Sequence, residues 1–149
     1  MTPSPPPGSA LPRADGDSPV ALAVITNGDG AVLFVERRAP AGDDAPPWVF
    51  PGGKVRPSET PARAAAREAE EETGLTVKPI ALIGTRPHPL TGRSLVYIAC
   101  EIVSGTASPA SPREVADVAW VPTQFIDRVV PDIYEPVRRH LGLKPRTAL

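Results

Sequence analysis

Cysteine and long apolar runs are nearly absent from this 149-residue sequence, and both absences exclude classes of protein. Cys100 is the single cysteine, so one chain can form neither a disulfide framework nor a thiolate metal cage, and a reducing compartment fits. No segment approaches the roughly 20 apolar residues of a membrane span, and residues 1–17 lack the apolar stretch of a signal peptide. The sequence therefore predicts an untargeted cytoplasmic protein with no membrane partner.

Net charge is also nearly absent. The 16 Lys and Arg residues almost balance the 17 Asp and Glu residues, which leaves a formal charge of -1. Without an excess positive field the protein does not attract long nucleic acids, whereas a small phosphorylated ligand needs only a few local cations. A small phosphorylated compound is therefore the favoured class of partner.

Proline, by contrast, is abundant and unevenly placed. There are 21 prolines, and the first stretch of the chain is crowded with them, together with Ser and Gly. Such a segment cannot bury enough apolar area to offset the entropy of ordering it. We expect a disordered tail over residues 1–17, one domain over residues 18–143 and a C-terminal tail over residues 144–149.

The body of the chain predicts short strands, one long helix and a broken helical region. Turn residues bound five β-rich runs, at residues 20–26, 32–35, 77–83, 95–103 and 115–121. The Asn-Gly-Asp-Gly sequence between the first two predicts a hairpin. Apolar residues after Pro122 follow a helical period that Pro131 and Pro136 interrupt. These elements predict an α/β fold in which helices cover both faces of a mixed β-sheet.

The long helix has clear start and stop signals. Thr60 suits the N-cap, Pro61 suits the first helical position, and Gly74 suits the C-terminal stop. At about 100° per residue, one narrow face gathers small residues and is expected to pack tightly on the sheet. The members of this face are Ala62, Ala65, Ala66, Ala69 and Thr73.

A second stripe of the same helix carries three carboxylates. The helical period predicts that Glu68, Glu71 and Glu72 converge there, while Glu70 points toward solvent. Like charges at this spacing repel each other near the negative end of the helix dipole, which destabilises the helix by roughly 1–3 kcal/mol. Mg2+ would offset this destabilisation, because it prefers carboxylate oxygens and completes its shell with water and phosphates.

A short acidic run is usually a solvated face, and taken alone residues 70–72 fit that interpretation. The residues before the helix favour a functional one. Gly52 and Gly53 follow Pro51, and two adjacent glycines allow a close backbone approach that side chains would block. A glycine loop facing an acidic stripe is typical of a phosphate and metal site.

Together these residues resemble the Nudix box, G-x5-E-x7-R-E-U-x-E-E-x-G-U, in which U is apolar. Nine specified positions match over 23 residues, so a chance match is rare. The similarity to small MutT-type members covers roughly residues 18–141. The matching positions are Gly53, Glu59, Arg67, Glu68, Ala69, Glu71, Glu72, Gly74 and Leu75.

The resemblance implies a divalent-metal site, with Mg2+ as the cofactor and Mn2+ able to replace it. By similarity, Arg67 and Glu59 hold the loop to the helix and orient the carboxylates, a role whose loss commonly lowers activity 10–100-fold. The implied metal ligands are the carboxylates of Glu68, Glu71 and Glu72 and the backbone carbonyl of Gly52.

The resemblance also proposes roles around the metal. Glu68 is the implied general base, although some family members use a Glu from a distant loop. Glu114, before the last β-rich run, is the distant candidate here, and it could equally be a further metal ligand or a surface charge. Substrate contacts are predicted at Arg37, Gly53 and Arg86, with solvation as the alternative for both arginines.

The implied reaction is attack of water on a phosphoanhydride bond in a nucleoside diphosphate derivative. The short MutT-like chain favours a nucleoside or deoxynucleoside triphosphate, which is cut to monophosphate and pyrophosphate. One alternative is an ADP-ribose or nucleotide-sugar pyrophosphatase, since Pro89 lies one residue from a proline position of that type. Another is a catalytically silent nucleotide-binding module, although such modules usually lose box carboxylates. The sequence leaves homodimerisation open.

Overall fold

The computed structural model describes residues 18–38 and 47–145. The predicted N-terminal tail and residues 146–149 lie outside these ranges. The strands are β1 (Val20–Thr26), β2 (Ala31–Arg37), β3 (Trp48–Val49), β4 (Gly52–Lys54), β5 (Thr76–Pro87), β6 (Ser94–Ser104) and β7 (Val115–Pro122). The helices are α1 (Pro61–Thr73), α2 (Ile126–Val129) and α3 (Glu135–His140), with a 3-10 turn at Thr123–Phe125.

The strands form one mixed sheet organised around β1. On one edge β1 runs parallel to β6 over its whole length, from Val20 opposite Leu95 to Thr26 opposite Glu101. On the other edge β1 pairs with β2 only beside the predicted hairpin turn, which is confirmed, and then the two strands diverge. The antiparallel strand β4 occupies the space that this divergence leaves. The sheet path runs β3-β2-β1-β6-β5, and β7 pairs with β2.

Side chains alternate between the two faces of β1 and β6 and create two cores. Ala21, Ala23 and Ile98 point to the face that α1 covers. Val24 and Tyr97 point to the opposite face, which residues of α2 and α3 cover. The prediction of a mixed sheet between helices is therefore confirmed.

The predicted boundaries of α1 are confirmed. The Thr60 hydroxyl accepts a hydrogen bond from the Arg63 backbone N–H at 3.2 Å. Gly74 ends the helix with φ of 79°, a left-handed conformation that a residue without Cβ adopts easily.

The buried face of α1 differs from the predicted one. Ala65, Ala69 and Thr73 are buried as expected, but Ala62 and Ala66 are only partly buried, and Ala64 and Glu72 are buried instead. The helix contacts β4 as well as β1 and β5. Since β4 carries two glycines, the helix approaches it closely and buries one edge of the acidic stripe.

Two strands were missed by the sequence analysis. With two and three residues, β3 and β4 are too short to show an alternating pattern, and Pro51 separates them. Helical structure after Pro122 is confirmed, in short pieces. In α3, the buried Arg138 is paired with Asp127 of α2 and donates to the Lys144 carbonyl, which fixes the C-terminal segment.

Candidate active site

The glycine loop packs directly on α1 and β1. A Cβ atom on Gly53 would lie 2.5 Å from the carboxyl carbon of Glu68. A Cβ atom on Gly52 would overlap the carbonyl oxygen of Ala21 and the side chain of Leu22. Both glycines are therefore required by close packing, and their backbone faces the helix carboxylates without intervening side chains.

Glu72 is the most unusual carboxylate of this arrangement. It is only 6% exposed, and the Gly52 backbone N–H donates to its Oε2 atom at 3.2 Å. No Arg, Lys or His side chain of the described residues pairs with it. Burial raises the pKa of Glu72 to about 8, and the neighbouring charge of Glu68 adds to the rise, while the Gly52 hydrogen bond opposes it.

Glu68 lies between Glu72 and a cation. Arg67 Nη1 donates to its Oε1 atom at 2.7 Å. Burial raises the pKa of Glu68, and Arg67 opposes that rise. The pair thus places two carboxylates together at the surface of the glycine loop, with only Glu68 bonded to an arginine.

Arg67 joins the loop to the helix. Its Nε and Nη2 atoms donate to the two carboxylate oxygens of Glu59, at 3.1 and 2.6 Å, and Nη2 also donates to the Lys54 carbonyl at 3.1 Å. The backbone N–H of Arg56 donates to Glu59 at 3.0 Å. The hydrogen bond from Arg67 lowers the pKa of Glu59 to about 2. One guanidinium therefore bridges the loop, Glu59 and Glu68.

The carboxylate of Glu71 is more exposed than those of Glu68 and Glu72. Its carboxylate accepts from Arg67 Nη1 at 3.2 Å, lies 3.9 Å from Arg56, and is half exposed. Within the part of the chain that the structure describes, no three His, Cys, Asp or Glu side chains form a group that could hold a metal. Arg67 Nη1 thus bridges Glu68 and Glu71, and the convergence of all three carboxylates on one cation stays a prediction.

Glu114 approaches this pair from another part of the chain. Its charge contributes to the raised pKa of both Glu68 and Glu72. The segment that leads to it is fixed at the end of α1, where the Ala110 backbone N–H donates to the Glu72 carbonyl at 3.0 Å. The Arg38 backbone N–H holds the Glu114 carbonyl at 2.9 Å. The distant candidate thus lies within electrostatic reach of the carboxylate pair.

The predicted substrate contacts lie in different surroundings. Arg37 is exposed at the end of β2, in line with the solvated alternative. Arg86 is half buried, because its guanidinium stacks on Tyr97 and Tyr134. The sequence analysis did not single out Tyr134. Its aromatic side chain just before α3 was the one local feature that could have drawn attention to it.

This arrangement fits a divalent cation. Two adjacent carboxylates that share a partly buried position repel each other when both are charged, and a cation between or beside them removes that repulsion. Mg2+ needs few protein ligands, because it keeps several waters and takes oxygens from phosphates. Glu68 and Glu72 would hold it, with Glu114 within electrostatic reach; the roles of Glu71 and of the Gly52 carbonyl as ligands stay predictions.

Comparison with known proteins agrees with this chemistry. The family model described as the NUDIX domain matches residues 17–140. An RNA pyrophosphohydrolase of Halorhodospira halophila is 42% identical over 71 residues, which cover 48% of this chain and 36% of that protein. A putative 8-oxo-dGTP diphosphatase of Bacillus subtilis is 32% identical over 101 residues, which cover 68% of this chain and 64% of that protein. The chain thus spans between about a third and two thirds of these relatives.

Solved structures show the same fold. The crystal structure of a MutT protein from Methanosarcina mazei Go1 matches with a TM-score of 0.64 and 27% identity, and the match covers 84% of this chain and 90% of that one. Among residues 18–38 and 47–145, no helix is long and apolar enough to cross a membrane.

Proposed function

We propose, because this chain belongs to the NUDIX family, that it is a Mg2+-dependent pyrophosphohydrolase of nucleoside or deoxynucleoside triphosphates. The products would be a nucleoside monophosphate and pyrophosphate. The observation that carries the proposal is the carboxylate pair Glu68 and Glu72, which packs against a two-glycine loop. Glu72 is buried, and no Arg, Lys or His side chain within residues 18–38 and 47–145 pairs with it. Such a pair has no stabilising role of its own, since both neighbouring charges and burial disfavour it.

Each residue of the pair supports a distinct part of the reaction. Bound Mg2+ would supply neutralisation of the diphosphate charge and acidification of the attacking water. Glu72, oriented by the Gly52 N–H, would hold the cation. Glu68 would take the proton of the attacking water at a carboxylate oxygen, and its hydrogen bond from Arg67 fixes the direction of that carboxylate.

The surrounding residues position this chemistry. Arg67 would act as a positioning residue, since its guanidinium donates hydrogen bonds to Glu59 and the Lys54 carbonyl of the loop and to Glu68 of the helix. Glu114 would add negative charge that favours a cation at the pair. The relatives named as an RNA pyrophosphohydrolase and a putative 8-oxo-dGTP diphosphatase support a nucleotide with a phosphoanhydride bond as the substrate.

A substrate panel tests the proposal. Nucleoside triphosphates, deoxynucleoside triphosphates, ADP-ribose, a UDP-sugar and a dinucleoside polyphosphate are incubated with the protein and Mg2+, and the products are identified by mass spectrometry in 18O-labelled water. We expect monophosphate and pyrophosphate from a triphosphate, one 18O atom in one product, and no turnover with excess chelator.

Other outcomes of the panel would contradict the proposal in different ways. Cleavage of ADP-ribose or the UDP-sugar alone would keep the reaction class and overturn the substrate. Tight binding of nucleotides without any cleavage would identify the catalytically silent alternative.

A further inference from the structure

A cationic side chain lies against two packed aromatic rings on the face of the sheet opposite α1. The guanidinium carbon of Arg86 lies 5.1 Å from the ring centroid of Tyr134 and 5.8 Å from that of Tyr97. Arg86 Nε donates to the Tyr97 hydroxyl at 3.1 Å. The two rings are 5.0 Å apart between centroids. The two rings lie on the same side of the guanidinium, and the Nε hydrogen bond holds the side chain against them.

The chain provides specific space for this cluster. A Cβ atom on Gly84 would lie 3.0 Å from the Tyr134 ring, so a larger residue at that position would displace the ring. The register of β5 against β6 shifts between Leu82 and Gly84, a local bulge that brings the glycine under the ring. The Tyr134 hydroxyl donates to the Thr85 carbonyl at 3.1 Å. Tyr134 is thus held at its hydroxyl and at its ring.

The outer edge of the Arg86 guanidinium is unused. Only Nε has a hydrogen-bond partner, and among residues 18–38 and 47–145 no group accepts from Nη1 or Nη2, although Arg86 is half buried. The Nε hydrogen bond and the two rings hold one side of the guanidinium and leave the edge that carries Nη1 and Nη2 free of packing contacts with either ring. A pre-oriented pair of parallel N–H donors suits a ligand with two adjacent acceptors.

The strand register places this cluster in line with the glycine loop. Gly52 lies opposite Leu22, Leu22 lies opposite Tyr97, and Tyr97 lies opposite Gly84. These four residues form one row across β4, β1, β6 and β5. With about 4.8 Å between neighbouring strands, the row spans roughly 14 Å from Gly52 to Gly84. Tyr97 itself is only 3% exposed, so a nucleotide whose phosphates lie at the loop would reach Arg86 from outside the covered part of this row.

We propose that Arg86 is a specificity residue that binds the nucleobase through a pair of adjacent acceptors. The inference rests on the proposed function only in taking the ligand to be a nucleotide. Guanine offers O6 and N7 as adjacent acceptors, the pair that an arginine fork commonly binds, and cytosine offers O2 and N3. Adenine presents a donor beside each such acceptor, and uracil presents a donor between its two carbonyls. The structure therefore assigns a preference for guanine or cytosine over adenine and uracil.

Calorimetric titration of the full chain with GMP, CMP, AMP and UMP tests this preference. The parent is compared with Arg86→Gln, which removes the charge and the fork, and with Arg86→Lys, which keeps the charge alone. Arg93→Gln is the matched control, because Arg93 lies in the neighbouring turn and contacts neither tyrosine. Melting temperatures of all variants establish that each is folded.

We expect the parent to bind GMP or CMP more tightly than AMP and UMP, by roughly five- to a hundredfold, the range of one bidentate base contact. That preference should be lost in Arg86→Gln and equally in Arg86→Lys, and kept in Arg93→Gln. GMP and CMP themselves decide which of the two bases is the ligand.

Three results would overturn the proposal. If Arg86→Gln lost affinity equally for all four nucleotides and Arg86→Lys kept it, Arg86 would bind a phosphate. If neither variant changed the affinities, Arg86 would serve packing alone. Absence of binding of all four to the parent would remove the ligand. The binding measurement is independent of turnover, so a protein that fails the hydrolysis panel and still shows the Arg86-dependent preference would refute the proposed function and keep this inference.

Discussion

Two glutamates of the same loop and helix unit have opposite electrostatic surroundings. Glu59 lies on the Arg67 guanidinium, which lowers its pKa to about 2. Glu72 is buried beside Glu68, no cationic side chain in the described part of the chain pairs with it, and its pKa rises to about 8. Glu59 is therefore already neutralised within the protein and holds structure, whereas Glu72 needs a cation from outside. The comparison shows that the Arg67 fork, together with burial, makes the difference between Glu59 and Glu72.

The strongest test of this contrast is Glu72→Gln. We expect turnover with Mg2+ to fall on the order of a thousandfold or more, because a ligand of the proposed cation is removed. Without metal the variant should be at least as stable as the parent near pH 8, since a buried carboxylate without a partner is removed. Turnover against Mg2+ concentration and melting in chelator measure the two effects, and parental turnover in this variant would remove Glu72 from the site.

The pH dependence of folding should separate the two glutamates next. The folded-state pKa of Glu72 is raised, so its contribution to the free energy of unfolding is fully present below about pH 4.5 and is lost as the pH rises to about 8. Between the two ends of this pH window, the free energy of unfolding should fall by on the order of 4 kcal/mol. Urea unfolding in chelator at several pH values should show the parent losing stability relative to Glu72→Gln over this window.

Glu59 should affect the pH dependence of stability in the opposite direction and over a more acidic pH range. Its folded-state pKa is lowered, so its contribution is present above about pH 4.5 and is lost as the pH falls toward 2. Glu59→Gln should therefore differ from the parent at neutral pH and approach it in acid. A common pH profile for Glu59→Gln and Glu72→Gln would contradict the contrast.

A smaller effect is expected from Arg67→Gln. The substitution removes the fork that joins Glu59, the Lys54 carbonyl and Glu68, and the carboxylate of Glu68 loses its orientation. We expect a 10–100-fold loss of turnover, the range for residues that orient metal ligands. Arg63→Gln, on an exposed position of the same helix, is the control and should keep parental turnover.

The smallest effect is expected from Glu70→Gln. Glu70 is exposed, and its carboxylate accepts a hydrogen bond from the Thr76 hydroxyl at 3.4 Å. Removing one negative charge near the end of the helix should change stability by a few tenths of a kcal/mol at most and leave turnover unchanged. A turnover loss like that of Glu72→Gln would show that charge on the helix as a whole, and not position, carries the activity.

Local signals made part of this structure predictable. Thr60, Pro61 and Gly74 define α1 because capping depends on residues adjacent in sequence. The difference in burial between Glu71 and Glu72 was not predictable, since the helical period places both on one stripe. Which carboxylate is buried depends on how closely β4 approaches and on where the Arg67 fork lies.

The contact between Arg86 and Tyr134 was likewise not predictable from the sequence. Arg86 and Tyr134 come from β5 and from the segment before α3, and their contact depends on a bulge and on Gly84. Neither residue shows a periodic pattern that would reveal the other. A propensity that acts over a few residues cannot report a contact that the sheet register creates.

The pairing of β1 has a consequence for how the protein folds. The glycine loop is supported by β1, and β1 is held along one edge by β6, with Val20 opposite Leu95. Contacts between such distant segments form slowly, because the chain between them must first be closed into a loop. The β5 and β6 hairpin is local and should form earlier. Pulse-labelling hydrogen exchange during refolding should protect its amides before those of β1, so the carboxylates would acquire their loop only in the last stage of folding.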